Sequence, residues 1–130
     1  TPVFKDVVEL DLSSTQITDV VTSKLSQFIN LKKIKLNGTQ ITDVTLVTLS
    51  ELPNLEVINV YGTQVSDQGI SALAAHPRLH RIYVWDTKVS EKGAKLLENA
   101  LRKRVRTDKE SHVDTELPQV ILGMDTAMNS

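Results

Sequence analysis

Four acidic residues, Asp19, Asp43, Asp67 and Glu91, recur every 24 residues along the chain. A ladder of oxygen ligands is chemistry that suits Ca²⁺. Each acid, however, follows a hydroxyl residue, Thr18, Thr42, Ser66 or Ser90. A hydroxyl followed by an acid marks a helix start, where the carboxylate meets the positive end of its own helix dipole. That accounts for the column without a metal, and no metal site is assigned. His76 and His80 stand four residues apart, as paired imidazole ligands on a helix would. Pro77 lies between them and breaks the helical geometry. His76 also shares its 24-residue column with Phe28 and Leu52, so a packed histidine at a helix end is expected. His112 stands alone in a charged segment.

Other chemistries find less. No Ser/His/Asp motif, glycine-rich phosphate loop or paired-carboxylate pocket is present. With no cysteine there is no thiol nucleophile, thiolate metal site, disulfide or haem-attachment motif in these residues. Neither catalysis nor a bound cofactor is expected. Arg102-Lys103-Arg104-Val105-Arg106 is a basic cluster, but no aromatics interleave it, and Asp108, Glu110, Asp114 and Glu116 balance it. Together with a formal net charge of −1, that points to a solvated segment and away from nucleic acid. The aromatics are more suggestive. The chain has five, and three of them, Tyr61, Tyr83 and Trp85, fall within 25 residues alongside Arg81. Aromatics with a neighbouring arginine are the residue types that dominate binding hot spots.

The elements that place these residues follow from an internal repeat. Thr15, Thr39, Thr63 and Thr87 are 24 residues apart without slippage. The columns around them agree: Leu10, Ile34, Ile58 and Ile82; Leu12, Leu36, Val60 and Val84; Ile17, Ile41, Val65 and Val89; Leu25, Leu49, Leu73 and Leu97. Alternation such as Glu9-Leu10-Asp11-Leu12 is a short strand with one buried face. Leu46, Leu49 and Leu52 recur at three-residue steps, as a helical stretch would show. Pro53 and Pro77 mark the stops of the second and third helices. The β-branched pairs Val20-Val21 and Val44-Thr45 predict shorter or less regular helices in the first two copies. One unit cannot bury its apolar stripe alone, whereas stacked units share a core between a parallel sheet and a layer of helices.

Each copy, read as L-x-x-L-x-L-x-x-T-x-I-[ST]-[DE], resembles the leucine-rich-repeat family, with Thr where that family's signature has Asn or Cys. The resemblance implies an α/β solenoid of four repeats, 7–30, 31–54, 55–78 and 79–102, with helices on the convex side and a parallel sheet on the concave side. It implies that the Thr column is a buried structural ladder, each hydroxyl bonding backbone groups at the strand corner between adjacent repeats. It also implies a binding face made of the alternate strand residues that point away from the core. Those columns are Glu9, Lys33, Val57, Arg81; Asp11, Lys35, Asn59, Tyr83; and Ser13, Asn37, Tyr61, Trp85. The candidate site is their richer half, Val57, Asn59, Tyr61, Arg81, Tyr83 and Trp85, with a protein or other macromolecule as partner. Period-2 alternation and parallel stacking predict that the three rings form one contiguous surface. Two readings stand for that patch: a surface free for a partner, or one covered by the C-terminal tail.

The Thr-type repeat, with phrases such as Asn59-Val60-Tyr61-Gly62-Thr63 and Tyr83-Val84-Trp85-Asp86-Thr87, is also similar to repeat tails of bacterial proteins that carry a c-type cytochrome domain. That resemblance implies a periplasmic or extracellular setting and a haem domain elsewhere in a longer chain. An accessory or structural role in such a protein is the alternative to a binding role. The start at Thr1-Pro2 reads as that of a fragment or mature piece, and no apolar run is long enough for a membrane span. With 40% apolar and 24% charged residues, the composition is that of one folded domain. Residues 1–6 are expected to cap the first repeat through Val3 and Phe4, and 103–130 to form a C-terminal cap and tail. Within that end, Leu101 and Val105 are expected to continue the last helix into an edge strand, Arg102–Glu116 reads as a solvated connector, and Pro118–Leu122 is apolar enough to dock as a cap or extra strand.

Overall fold

The alternating segment of each repeat forms a three-residue strand: β1 (Glu9–Asp11), β2 (Lys33–Lys35), β3 (Val57–Asn59) and β4 (Arg81–Tyr83). In this computed structural model, which describes residues 5–107 and 117–122, a fifth strand β5 (Gln119–Ile121) follows β4, and all five form one parallel sheet in chain order. The register steps by 24 residues across the first three pairings, as in Glu9 to Lys33, Lys33 to Val57 and Val57 to Arg81. The middle residue of each strand points inward, and Ile34, Ile58 and Ile82 are buried. Leu31, Leu55 and Leu79 lead into the strands, and Leu36, Val60 and Val84 leave them, all fully enclosed. The outer residues of each strand stay half-buried or exposed, which is the period-2 pattern of a sheet with one dry face.

The opposite layer is helical: α1 (Asp19–Thr22) with a 3₁₀ stretch over Ser23–Gln27, α2 (Asp43–Ser50), α3 (Asp67–Ser71) and α4 (Glu91–Thr107). The expectation of short helices in the first two copies holds for α1 and fails for α2, which at 8 residues outlasts the 5 of α3. One residue explains the length of α2. Thr45 in α2 is buried, and its hydroxyl bonds both Asp19 and Thr22 of the preceding repeat, so its stiff side chain is held rather than frustrated. Pro53 and Pro77 lie beyond the ends of α2 and α3 rather than at them.

Between strand and helix the chain turns through a left-handed residue in every repeat: Ser14, Gly38, Gly62 and Asp86 have φ of 58°, 72°, 71° and 59°. This turn brings the next residue, the repeated threonine, back over the strand end. Its hydroxyl then donates to the carbonyl three residues earlier, Thr15 to Leu12 (2.7 Å), Thr39 to Leu36 (2.6 Å), Thr63 to Val60 (2.6 Å) and Thr87 to Val84 (2.5 Å). The ladder therefore closes each repeat on itself and does not bridge neighbours, a correction to the expected geometry. Burial is uneven as well. Thr39 and Thr63 are buried, Thr87 is half-buried and Thr15 is exposed. Thr39→Val is accordingly expected to lower stability by about 1–3 kcal/mol, whereas Thr15→Val, where water replaces the lost hydroxyl, should stay within about 0.5 kcal/mol. Denaturant midpoints of the two variants check this, and equal losses would show that burial does not set the effect.

At the C-terminal end α4 runs through residues 102–107, the first part of what the sequence suggests is a solvated connector, because its arginines have structural work. Arg102 donates from Nε to the Pro118 carbonyl (2.8 Å) and pairs with Glu98 at 3.7 Å, while Glu98 accepts the Val120 N–H (3.1 Å). Arg104 donates to the carbonyls of His76 and Leu79. The Arg102 and Glu98 bonds fasten β5 to α4, and those of Arg104 tie α4 to the end of the third repeat. The segment 117–122 thus extends the sheet beside β4 rather than lying across its face, which removes these residues from the reading in which the tail covers the aromatic patch. Val3, Phe4, His112 and the segments 108–116 and 123–130 lie outside the described residues.

Candidate binding face

The concave face divides into two chemically distinct halves. In the first two repeats the outward columns are charged and paired across strands, Glu9 with Lys33 and Asp11 with Lys35, each at 4.0 Å. Such exposed pairs contribute little to stability, but they neutralise this half of the face. The Asp11 carboxylate also accepts the Ser13 hydroxyl and N–H, and these bonds, with Lys35 beside them, hold it below the usual carboxylate range. In the third and fourth repeats the same columns carry Val57, Asn59, Tyr61, Arg81, Tyr83 and Trp85, all half-buried. Here the parallel register places Tyr83 between Asn59 and Ile121, and Arg81 between Val57 and Gln119.

Tyr61 and Trp85 stack with ring centroids 4.3 Å apart and planes 13° from parallel. The pair arises because the two residues hold the same position one repeat apart, just past the strand end, where the backbone is still in sheet register. Gly62 N–H to Trp85 O (3.1 Å) and Gly38 N–H to Tyr61 O (3.0 Å) fix the spacing, and Asn59 accepts the Tyr61 N–H (3.2 Å). Tyr83 is not part of the stack. It lines a groove across the strands with Asn59, Val57, Lys33 and Lys35. The stacked pair is at the strand ends, and Tyr83 lies two residues before Trp85 on the same outward face. Asn37, which precedes Tyr61 in the same column, was not singled out from sequence. Its side-chain oxygen is buried and has no hydrogen-bond partner among the described residues.

The acidic column does different work from that expected. Asp19 accepts the N–H and hydroxyl of Thr42 (2.9 and 2.5 Å) and the hydroxyl of Thr45 (2.6 Å). Asp43 accepts the N–H and hydroxyl of Ser66 (2.7 and 2.6 Å), and Asp67 those of Ser90 (2.7 and 2.6 Å). Each carboxylate thus staples its repeat to the helix start of the next, and does not simply sit on its own helix dipole. Ser66 makes no side-chain cap bond to α3, whereas Thr42 and Ser90, whose hydroxyls are likewise donated to a carboxylate, still accept the Val44 N–H (3.4 Å) and the Gly93 N–H (3.0 Å). Burial pushes the Asp19 carboxyl up, but the bonds from Thr42 and Thr45 outweigh it and hold it low; the bonds from Ser90 hold Asp67 low. The stability that the Asp19 and Asp67 staples supply is full above about pH 4 and is withdrawn as pH falls through their lowered folded values.

His76 is buried, as its apolar column suggests. Nδ1 accepts the N–H groups of Arg78 and Leu79 (3.0 Å each), which leaves Nε2 as the donor to the Leu52 carbonyl (2.7 Å). The ring is therefore neutral; Nε2 ties the third repeat to the second, and Nδ1 holds the turn that leads into the fourth. Burial lowers its tendency to protonate, and the Arg104 charge lowers it further. None of this arrangement resembles a nucleophile or general base facing a cleft.

A leucine-rich-repeat family model matches residues 51–74. No curated protein matches the chain in sequence. Among solved structures, the leiomodin-1 actin-binding site 2 is similar over 95% of this chain and 75% of its own length, with 11% identity and a TM-score of 0.67. The tropomodulin C-terminal domain of Caenorhabditis elegans is similar over 95% of this chain and 80% of its own, with 15% identity and a TM-score of 0.67. At such identities the likeness is one of fold. Repeat pattern, parallel sheet, helical layer and these likenesses agree that the chain is a leucine-rich-repeat solenoid.

Proposed function

We propose that this domain is a non-catalytic module that binds a protein partner on the C-terminal half of its concave face. The observation that carries the reading is the Tyr61–Trp85 stack, a rigid, amphipathic platform presented beside Tyr83, Val57 and Arg81 on an otherwise charge-neutralised sheet. Aromatic anchors of this kind supply large contact area at small entropic cost, and solenoids of stacked repeats use their extended concave surfaces for binding. Protein binding also fits the name of one structural neighbour, an actin-binding site. The accessory role beside a haem domain has only the repeat resemblance behind it.

Affinity capture with the full chain tests the proposal by comparing the native protein, Trp85→Ala, Tyr61→Ala and the convex-face control Val44→Asp. Val44 is 60% exposed on the helical side, so the control changes surface charge away from the platform. A specific partner should be lost at least tenfold with either aromatic variant and retained by the control, with unfolding midpoints little changed. The tenfold threshold corresponds to about 1.4 kcal/mol, a modest hot-spot loss. A partner lost only with Val44→Asp would move the site to the helices. Absence of any specific partner for the native chain would favour a structural spacer.

A further inference from the structure

The two ends of the solenoid are finished differently. At the C-terminal end Ala94, Leu97 and Leu101 of α4 are buried, and β5 covers the edge of β4. At the N-terminal end the same core columns are less completely covered. Val7, Leu10, Leu12 and Ile17 are only partly buried, whereas their counterparts in the next repeat, Leu31, Ile34, Leu36 and Ile41, are 0–1% exposed. Val21, in the column of the buried Thr45, adds to this face at 48% exposure.

The polar groups tell the same story independently. In each of the three later repeats, the residue that starts the helix has its N–H and hydroxyl held by a carboxylate 23 residues earlier, as Thr42 is by Asp19, Ser66 by Asp43 and Ser90 by Asp67. Thr18 occupies that position in the first repeat, with the same extended backbone as Thr42 (φ −127° and −131°). Among the described residues no carboxylate reaches it, and its hydroxyl accepts only the Val20 N–H (3.3 Å). The next helix position would also receive such a carboxylate. It is Thr45, Gly69 and Gly93 in the later repeats, where Thr45 bonds the acid and a side chain on either glycine would collide with it. In the first repeat it is Val21, a residue with the shape of Thr45.

We propose that the N-terminal face of the first repeat is a docking face for a further strand–turn–helix unit of the same 24-residue type. That unit runs parallel beside β1 and presents an aspartate to the Thr18 N–H and hydroxyl. The occupant follows from continuity: this face repeats, element for element, the face that the second, third and fourth repeats present to the unit before them. In a second copy of this chain the edge of β4 is already occupied by β5, so no strand of the 24-residue repeats is left at its C-terminal end to pair with β1.

The test uses the full chain with a copy of residues 31–54 inserted between Asp6 and Val7, which places the copied aspartate 23 residues before Thr18. The extended chain should unfold in one transition with its midpoint raised by about 5 °C or more. Replacing the copied aspartate with asparagine should lose a large part of that gain, and it should lose little in a chain already carrying Thr18→Val. An unmoved midpoint, a separate transition for the inserted unit, or an aspartate effect indifferent to Thr18→Val would overturn the proposal. So would a dimer of the unmodified chain dispersed by Val21→Asp, since a second copy would then own the face.

Discussion

His76→Leu is expected to destabilise the domain by about 2–5 kcal/mol, although leucine is the residue at the same position one repeat earlier and fits the apolar column. The loss arises from polar groups left behind. The native ring satisfies the Leu52 carbonyl and the N–H groups of Arg78 and Leu79, and Leu52 and Leu79 are buried. Stranding buried backbone groups costs about 1–3 kcal/mol each. The same interaction sets a pH dependence. The folded His76 resists protonation relative to the unfolded chain, so the unfolded state binds more protons as pH falls below the ordinary histidine value of about 6.5. The stability that His76 supplies is therefore complete above about pH 6.5 and declines as pH falls towards the lowered folded value, below which the dependence is flat. Denaturant midpoints between pH 8 and pH 5 should show that slope in the native chain and lose its His76 share in His76→Leu. A native midpoint constant over this range, or His76→Leu as stable as the native protein, would show that the imidazole is solvated.

Much of this architecture is written in the repeat itself. A 24-residue period with an alternating segment and a helical segment leaves stacked strands as the solution that buries every apolar column, and the outward residues of the sheet follow by parity. What the repeat could not convey is where the polar side chains of one unit end up relative to the next. The acid after each helix cap is locally consistent with its own helix dipole. Only the stacking distance shows that the next repeat's hydroxyl and N–H lie within reach. The signal for that longer connection was nevertheless present, in the small or hydroxyl residues Thr45, Gly69 and Gly93 two places after each following acid. Conversely, the threonine ladder looked like a link between repeats and is local, because the left-handed residue before each threonine folds it back on its own strand. That turn is legible at Gly38 and Gly62 and hidden at Ser14 and Asp86. On the binding face, parity placed Tyr61, Tyr83 and Trp85 correctly on one side. It could not tell that residues one repeat apart would stack while Tyr83, two residues before Trp85, would face the groove.

Gly69→Ala supplies the sharpest test of the staple, because two established effects oppose each other with known signs. In a helix interior alanine is favoured over glycine by about 1 kcal/mol, so on propensity alone the change should stabilise α3. A Cβ at residue 69 would collide with the carboxylate of Asp43, and that carboxylate cannot retreat without releasing the Ser66 N–H and hydroxyl it accepts at 2.7 and 2.6 Å. Hydrogen bonds to a charged group contribute about 1.5–3 kcal/mol each, so the steric consequence outweighs the propensity gain. Gly69→Ala is expected to destabilise by about 2–4 kcal/mol. Asp43→Ala should lose a similar amount through the same two bonds. Combining them is where the argument becomes exclusive. Once Asp43 is alanine there is nothing for the new methyl to strike, and Gly69→Ala should change sign, stabilising the Asp43→Ala chain by up to about 1 kcal/mol. A double-mutant cycle in denaturant reads the coupling directly. Additive losses would mean that glycine is required by its backbone, and a stabilising Gly69→Ala in the native background would mean that the carboxylate does not bridge the repeats.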